Sequence, residues 1–396
     1  VGAGPVGSYA ALQLAKLGVK ATVYEEHPTV GLPSHCAGHI SIPSLKDLGF
    51  YPLPSGIEEN TFSAANFYSP QGTKFSLHLN CPVTVALNRA RFDQYLADMA
   101  QQAGARFELG CRVESLLRRG GNIAGFTFTK ADGTKDAVHS KIVIDAEGIS
   151  SRLLHQAGLP TLRRSGLVYA VETEIENLQD TEEHAVEVYF GKGYAPGFYG
   201  WLIPRRDGTA KLGLATQSGN PQQYLHRLMT KHPVASKQLA KAKILTQSYH
   251  ALSLGGPIRQ PYTGGFLAVG DCASQVKPTT GGGVIFGLTA AFEAANVANR
   301  ALQNRDTTAH ALSDYHKRCN SLFGFDFRVM LRLRRFLDSL SDERLDEMLR
   351  VCGKLGVDKA LSGATEIDYQ GKLLLSVASK PQMLAALGYF GLLYLL

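Results

Sequence analysis

A single tryptophan, five methionines and six cysteines stand among 396 residues. The cysteines, at 36, 81, 111, 272, 319 and 352, are scattered, with no Cys-x-x-Cys and no histidine pair at zinc spacing. That pattern argues against a metal site and for a reducing, cytoplasmic setting, with only a bridge between Cys319 and Cys352 left open. No run of about 20 apolar residues occurs, so no segment spans a bilayer by itself. Internal repeats and low-complexity stretches are lacking as well. Charge is nearly balanced: 41 Lys and Arg against 34 Asp and Glu give +7. So mild an excess suits an ordinary surface. Its sharper reading is attraction to an anionic membrane or a phosphorylated substrate, and no nucleic-acid partner is expected. What the chain does have is apolar material, 44% against 19% charged, enough for a large core; its length suggests two or three packed units.

The glycines are organised. VGAGPVGSYAALQLAKLGVKATVYEE (1–26) carries G-x-G-x-x-G at Gly2, Gly4 and Gly7. A helix-like stretch follows, with Ala10, Leu12, Leu14, Ala15 and Leu17 on or near one face, then a stop at Gly18 and a strand, Ala21–Tyr24. Glu25 lies 25 − 7 = 18 residues past the last glycine, which fits the dinucleotide fingerprint. Gly2 allows the tight turn, Gly4 admits a pyrophosphate to the backbone, and Gly7 lets the helix pack closely. The loop Gly2, Ala3, Gly4, Pro5, Val6 and Gly7 would then meet the phosphates at a helix N-terminus. Glu25, with Glu26 beside it, can accept hydrogen bonds from a ribose. Such a motif normally follows a full buried strand. We therefore expect several residues before Val1, and a chain truly starting there to hold its nucleotide poorly.

Near the other end, GFLAVGDCASQVKPTTGGGVIFGLT (265–289) reads as a strand, then Gly270-Asp271, a glycine-rich loop and an apolar helix from Val284. Paired with the N-terminal motif, it resembles the FAD-binding fold of the hydroxybenzoate-hydroxylase type. The resemblance implies FAD as cofactor, Asp271 on the ribityl chain, and Gly282, Gly283 and Val284 at the flavin's pyrimidine edge. Two intermediate segments agree. LNRARFDQYLADMAQQAGARFELGCRV (87–113) matches the family's R-x-x-F-D segment, which puts Arg89 on the flavin side of the cofactor and Val113 against the adenine. KIVIDAEGISSRLLHQAGL (141–159) matches A-D-G-x-x-S-R, with Glu147 in place of Asp. A separate NADPH domain would need a second G-x-G-x-x-G, and none is visible. The electron donor therefore stays open among ferredoxin, deazaflavin and NADPH.

The loop GLPSHCAGH (31–39) resembles the G-x-P-x-x-C-x-G of geranylgeranyl reductases. PGFYGWLIPRRDGTAKLGLAT (196–216) is similar to their Y-x-W-x-F-P segment, with Ile203 replacing Phe and the family's glycine at Gly213. The resemblance implies an enzyme that saturates C=C bonds of geranylgeranyl chains in isoprenoid lipids or polyprenyl diphosphates, with hydride from reduced flavin N5. An isolated alkene also needs a proton, and a thiol is mostly protonated at neutral pH. Cys36 is the candidate donor, with Ala37 and Gly38 beside it at the cofactor and His35 and His39 as relays. The bland alternative is a packed cysteine, which is how Cys272 reads. Tyr199, Trp201 and Pro204 are the candidate substrate wall.

These readings add up to an α/β fold: a Rossmann-like FAD-binding domain (1–50, 87–164 and 256–305), an inserted antiparallel substrate domain (51–86 and 165–255) and a helical C-terminal region (306–396). The basic stretch 323–340 and the uncharged run 383–396 leave two fates for the end of the chain. It packs on the body, or it makes a peripheral membrane contact. Two other functions compete. One is a flavin monooxygenase or halogenase, since Tyr199-Gly-Trp201-Leu-Ile203-Pro204 approaches the halogenases' W-x-W-x-I-P. The other is a non-enzymatic prenyl-binding escort of the same fold.

Overall fold

The computed structural model describes residues 1–395, with side chains through Gly391; Leu396, the end of the uncharged run, lies outside the described residues. The chain divides into two compact units, residues 1–34, 89–166 and 253–327, and residues 35–88, 167–252 and 328–396.

In the first unit, helix Pro5–Lys16 packs against helices Arg89–Gln102 and Val284–Gln303. Its buried residues run from Gly7 to Leu12, whereas Leu17, expected on the same face, is 40% exposed beyond the last turn. Strand Thr22–Tyr24 runs parallel to Arg106–Glu108, and Val143–Asp145 parallel to Phe266–Ala268. Val1 and Gly2 link the two pairs: the Gly2 N–H donates to Tyr24 O (2.8 Å) and the Ala146 N–H to Val1 O (2.8 Å). A three-stranded meander, Cys111–Arg119, Asn122–Lys130 and Lys135–His139, closes the unit. Its inward residues Val113, Phe126 and Phe128 share one core with Leu153, Phe266 and Cys272. Each such side chain contributes roughly 1.5–3 kcal/mol on burial.

The second unit is built on a seven-stranded sheet in the order 243–253, 167–176, 210–216, 200–204, 185–189, 64–68, 74–78. The pairings are antiparallel except for Ala185–Tyr189 with Ala64–Tyr68, among those whose register is defined. Residues alternate between its faces. Leu202, Leu212 and Leu214 face helix Pro221–Lys231 in one cluster with Leu225 and Leu228. Trp201 and Ile203 face the other way, with Phe62, Ala86 and Val186. Phe75 and Phe67, farther along, pack with the C-terminal helices.

Two boundaries differ from the expected ones. Residues 35–50 group with the sheet unit, because His39–Ser41 pairs with Thr84–Leu87, which in turn pairs with Glu58–Phe62. The C-terminal region is not a separate body: helix Ala309–Ser339 contributes its first part, to Phe327, to the first unit and the rest to the second. All six cysteines are free, so Cys319 and Cys352 form no bridge.

Candidate active site

The glycine motif behaves as three different devices. Gly2 has φ +93°, and a Cβ on it would lie 2.5 Å from Ala146 O. A Cβ on Gly7 would lie 1.9 Å from Gly2 O. Packing within the protein therefore forbids side chains at both. At Gly4 a Cβ would meet nothing within 4 Å. The bare backbone there faces open space, at the start of a helix whose first N–H groups have no side-chain cap. That is the opening a pyrophosphate requires.

Glu25 is held rather than waving. Its Oε2 accepts from the Ala3 N–H (2.7 Å), and its Oε1 accepts from the His27 N–H (3.0 Å) and faces His27 Nδ1 (2.5 Å). Its carboxylate thus ties the strand end to the glycine loop, with lone pairs to spare for a ribose. Glu26 is exposed and lies 3.7 Å from Arg112. Val113 is buried, and its carbonyl accepts from Arg152 (3.2 Å).

The distant C-terminal segment comes to the same place. A Cβ on Gly287 would lie 2.5 Å from Val6 Cγ2, and one on Gly270 3.3 Å from Val6. The two glycine-rich segments thus meet at Val6. Gly283 precedes helix Val284–Gln303 without a side-chain cap, and a Cβ on it would lie 2.8 Å from Asp271 Oδ1. A Cβ on Gly282 would lie 2.7 Å from Lys277 Cε. Burial raises the Asp271 carboxyl, and the Arg89 charge opposes it. Arg89 grips Asp93 through two bonds of 3.1 and 3.2 Å. Glu147 caps a helix instead: its Oε1 accepts from the Leu153 N–H (2.6 Å), where Ser151 offers no side-chain cap. The longer arm of Glu is what reaches there. Cys272 is fully buried and donates to Asp145 O and Val269 O, in keeping with packing. The open backbone at Gly4, the anchored Glu25 and the two uncapped helix starts fit an FAD.

In the second unit, Cys36 sits in the irregular loop after Gly31, half-buried. Its Sγ accepts from the Gly38 N–H at 3.5 Å, and its carbonyl accepts from Lys211 Nζ at 3.4 Å. Ala37 packs against the cluster of Phe62, Ile203 and Trp201. His35 is exposed, and His39 Nε2 is 2.7 Å from Thr84 Oγ1. Tyr199 and Trp201 meet edge-on at 6.2 Å. Strand alternation puts Ile203 on their face and Pro204 on the opposite one, as it does Leu202's neighbour Gly200, where a Cβ would meet Leu228. Pro204 thus stands on the face opposite Tyr199 and Trp201, and its carbonyl accepts from Asn60 (3.1 Å).

A charged cluster borders this wall. In register across the sheet stand Glu172, Gly213 and Trp201. A Cβ on Gly213 would lie 2.4 Å from Trp201 Cζ2, so the indole lies across the glycine towards Glu172. Burial pushes the Glu172 carboxyl up to about 7, against the pull of Lys211, the Trp201 N–H and Arg205. Neither Glu172 Oε2 nor Trp201 Nε1 completes a hydrogen bond of good geometry. Arg205 bonds Glu174 (2.5 Å) and lies 3.2 Å from Glu59, which is 3.6 Å from Lys211. Sequence reasoning missed Glu59, Glu172, Arg205 and Lys211. The available signal was VETEIE (171–176), a strand with an acid at every second position.

A family profile described as an FAD binding domain matches residues 1–322. The protein is an FAD-dependent oxidoreductase. Digeranylgeranylglycerophospholipid reductase 2 of Methanopyrus kandleri is 30% identical over 97% of this chain and 96% of its own length. The reductase 2 of Methanothermobacter thermautotrophicus is 32% identical over 88% and 90%. The chain belongs to the digeranylgeranylglycerophospholipid reductase family. Among solved structures, a geranylgeranyl bacteriochlorophyll reductase-like protein from Thermoplasma acidophilum matches with TM-score 0.86 at 26% identity, over 98% of both chains. A myxobacterial chondrochloren halogenase matches with TM-score 0.71 at 17% identity, over 98% of this chain and 95% of its own, which is a likeness of fold alone.

Proposed function

We propose that this protein saturates C=C bonds in the geranylgeranyl chains of an isoprenoid phospholipid, with Cys36 as proton donor. The observation that carries the reading is the packing of Ala37, next to Cys36, on the cluster that holds Trp201 and Ile203. Relatives named as reductases of such lipids support the substrate class.

The chemistry an FAD held here would supply, once reduced, is the hydride for one alkene carbon. The other carbon takes a proton, and the new C–H bond forms at the expense of the S–H bond of Cys36. The Gly38 N–H, already directed at the sulfur, meets the charge left on it. A proton from solvent, reached past the exposed His35, restores the thiol. Tyr199, Trp201 and Ile203 offer an apolar surface to the chain, where each buried methylene contributes roughly 0.8 kcal/mol. Glu25 and the Gly4 backbone would hold the adenosine and pyrophosphate ends of the cofactor; Arg89, Asp271 and residues 282–284 would serve its ribityl and flavin end.

Peripheral contact with a membrane is part of the proposal. Among the described residues no helix is long and apolar enough to cross one. Helix Pro381–Leu395 turns Met383 and Ala386 into the core and leaves Leu384 58% and Leu387 43% exposed. Leu375, on the preceding helix, is 65% exposed. Such a surface suits the boundary of a bilayer from which the substrate is drawn. Mass spectrometry of lipids extracted from the purified protein tests the substrate class. Geranylgeranyl or partly saturated phospholipids are expected, and a protein carrying only straight-chain lipid would refute it.

A further inference from the structure

We infer that Lys211 is a positioning residue that fixes the peptide of Cys36 for the proton transfer. An ammonium has three N–H donors. Those of Lys211 reach two carbonyl acceptors, Cys36 O at 3.4 Å and Leu87 O at 3.3 Å, and Glu59 Oε2 stands 3.6 Å away as its ion partner. Lys211 is 5% exposed. It lies on the same sheet face as Trp201 and Glu172, two residues from Gly213, with Glu172 as a further acidic neighbour.

The stability of the fold alone does not account for it. Replacing buried ionic groups with apolar side chains of similar volume is often neutral or favourable. Strands 200–204 and 167–176 already pair with 210–216 through their backbones. What the cation adds is a link among three segments, of which backbone bonds join only the first two. These are the irregular loop at Cys36, the end of strand Thr84–Leu87, and strand Ala210–Thr216. The Leu87 N–H donates to Gly38 O (2.9 Å). Loop residues 36 and 38 are therefore held to one strand end, Gly38 by the backbone and Cys36 through Lys211. The Gly38 N–H that meets the sulfur depends on both holds.

The inference rests on the proposed role of Cys36, and its test separates the two. The flavin-loaded enzyme is prepared as wild type, Lys211→Met, Lys211→Arg and Cys36→Ala. For each, kcat and KM are measured for lipid reduction, together with the rate at which iodoacetamide labels Cys36, followed by peptide mass spectrometry. In Lys211→Met, kcat falls about 100-fold, the scale of a misplaced reacting group, with KM little changed. Cys36 labelling accelerates as the loop loosens, and Lys211→Arg restores both toward wild type. A Lys211→Met enzyme with wild-type kcat and labelling rate overturns the inference. Should that variant bind no flavin, Lys211→Gln, which keeps an N–H donor, is read by the same two criteria. Full activity in Cys36→Ala removes the proton-donor role and leaves the labelling result to judge Lys211.

Discussion

The two units encode their chemistry in different materials. In the first, beside the side chains of Glu25, Arg89 and Asp271, the working parts are backbone. Gly2, Gly7, Gly283 and Gly287 are glycines because a Cβ would strike neighbouring atoms, and Gly4 is bare where nothing of the protein stands near. In the second, the working parts are side chains gathered from five separated stretches: Cys36, Glu59, Glu172, Trp201, Arg205 and Lys211. A backbone device needs its neighbours in sequence, so it leaves a short motif. A side-chain cluster needs only register, so it leaves almost none. The first unit should accordingly fail by losing its cofactor, and the second by losing its chemistry with the cofactor retained.

Gly7→Val challenges this most severely. With a Cβ 1.9 Å from Gly2 O, the turn cannot close; protein without a flavin absorption band is expected, and a flavin-loaded variant would break the contrast. Cys36→Ala comes next. It should keep the band and thermal stability while turnover drops about 100-fold or more, the usual share of a general acid.

Gly213→Ala is a smaller blow, costing about 1–3 kcal/mol as the indole is pushed aside. Trp201 is the sole tryptophan, so its emission reports the displacement directly. The same signal should titrate near pH 7 as Glu172 ionises, and Glu172→Gln should abolish that titration. The folded-state value is raised from 4.5 to about 7. Glu172 therefore favours folding fully below pH 4.5, and this contribution is lost as pH rises to about 7. Glu172→Gln should flatten that part of the stability profile; an unchanged slope would remove Glu172 as its source. The mildest change is Leu384→Ser with Leu387→Ser, expected to weaken liposome co-sedimentation without altering flavin content. Equal sedimentation of the pair and wild type would exclude the helix from membrane contact.

What was legible in the sequence follows the same division. Spacing pointed to Gly2, Gly4, Gly7 and Glu25 as a dinucleotide fingerprint, whereas the roles expected of Asp271 and Val284 came from the resemblance to the FAD-binding fold. The two segments that carry these residues meet at Val6. The strands 64–68, 74–78 and 185–189 fall inside the stretches expected to form a sheet, 51–86 and 165–255. The face of Pro204 was not legible, because a quoted motif carries residue types and not the strand's alternation. Nor was the boundary near residue 35, which is set by His39–Ser41 pairing with a strand 45 residues away (84 − 39). Lys211 was hidden within an ordinary strand, since its meaning lies in the carbonyls of Cys36 and Leu87.

The most direct measurement is the mass of the product. Flavin-reduced enzyme is incubated with a geranylgeranyl phospholipid in the presence of air, and the lipid is analysed by mass spectrometry. The account predicts a gain of two hydrogens for each double bond consumed, and loss of that gain in Cys36→Ala. A gain of one oxygen, or a lipid left unchanged while the flavin is reoxidised, would contradict it.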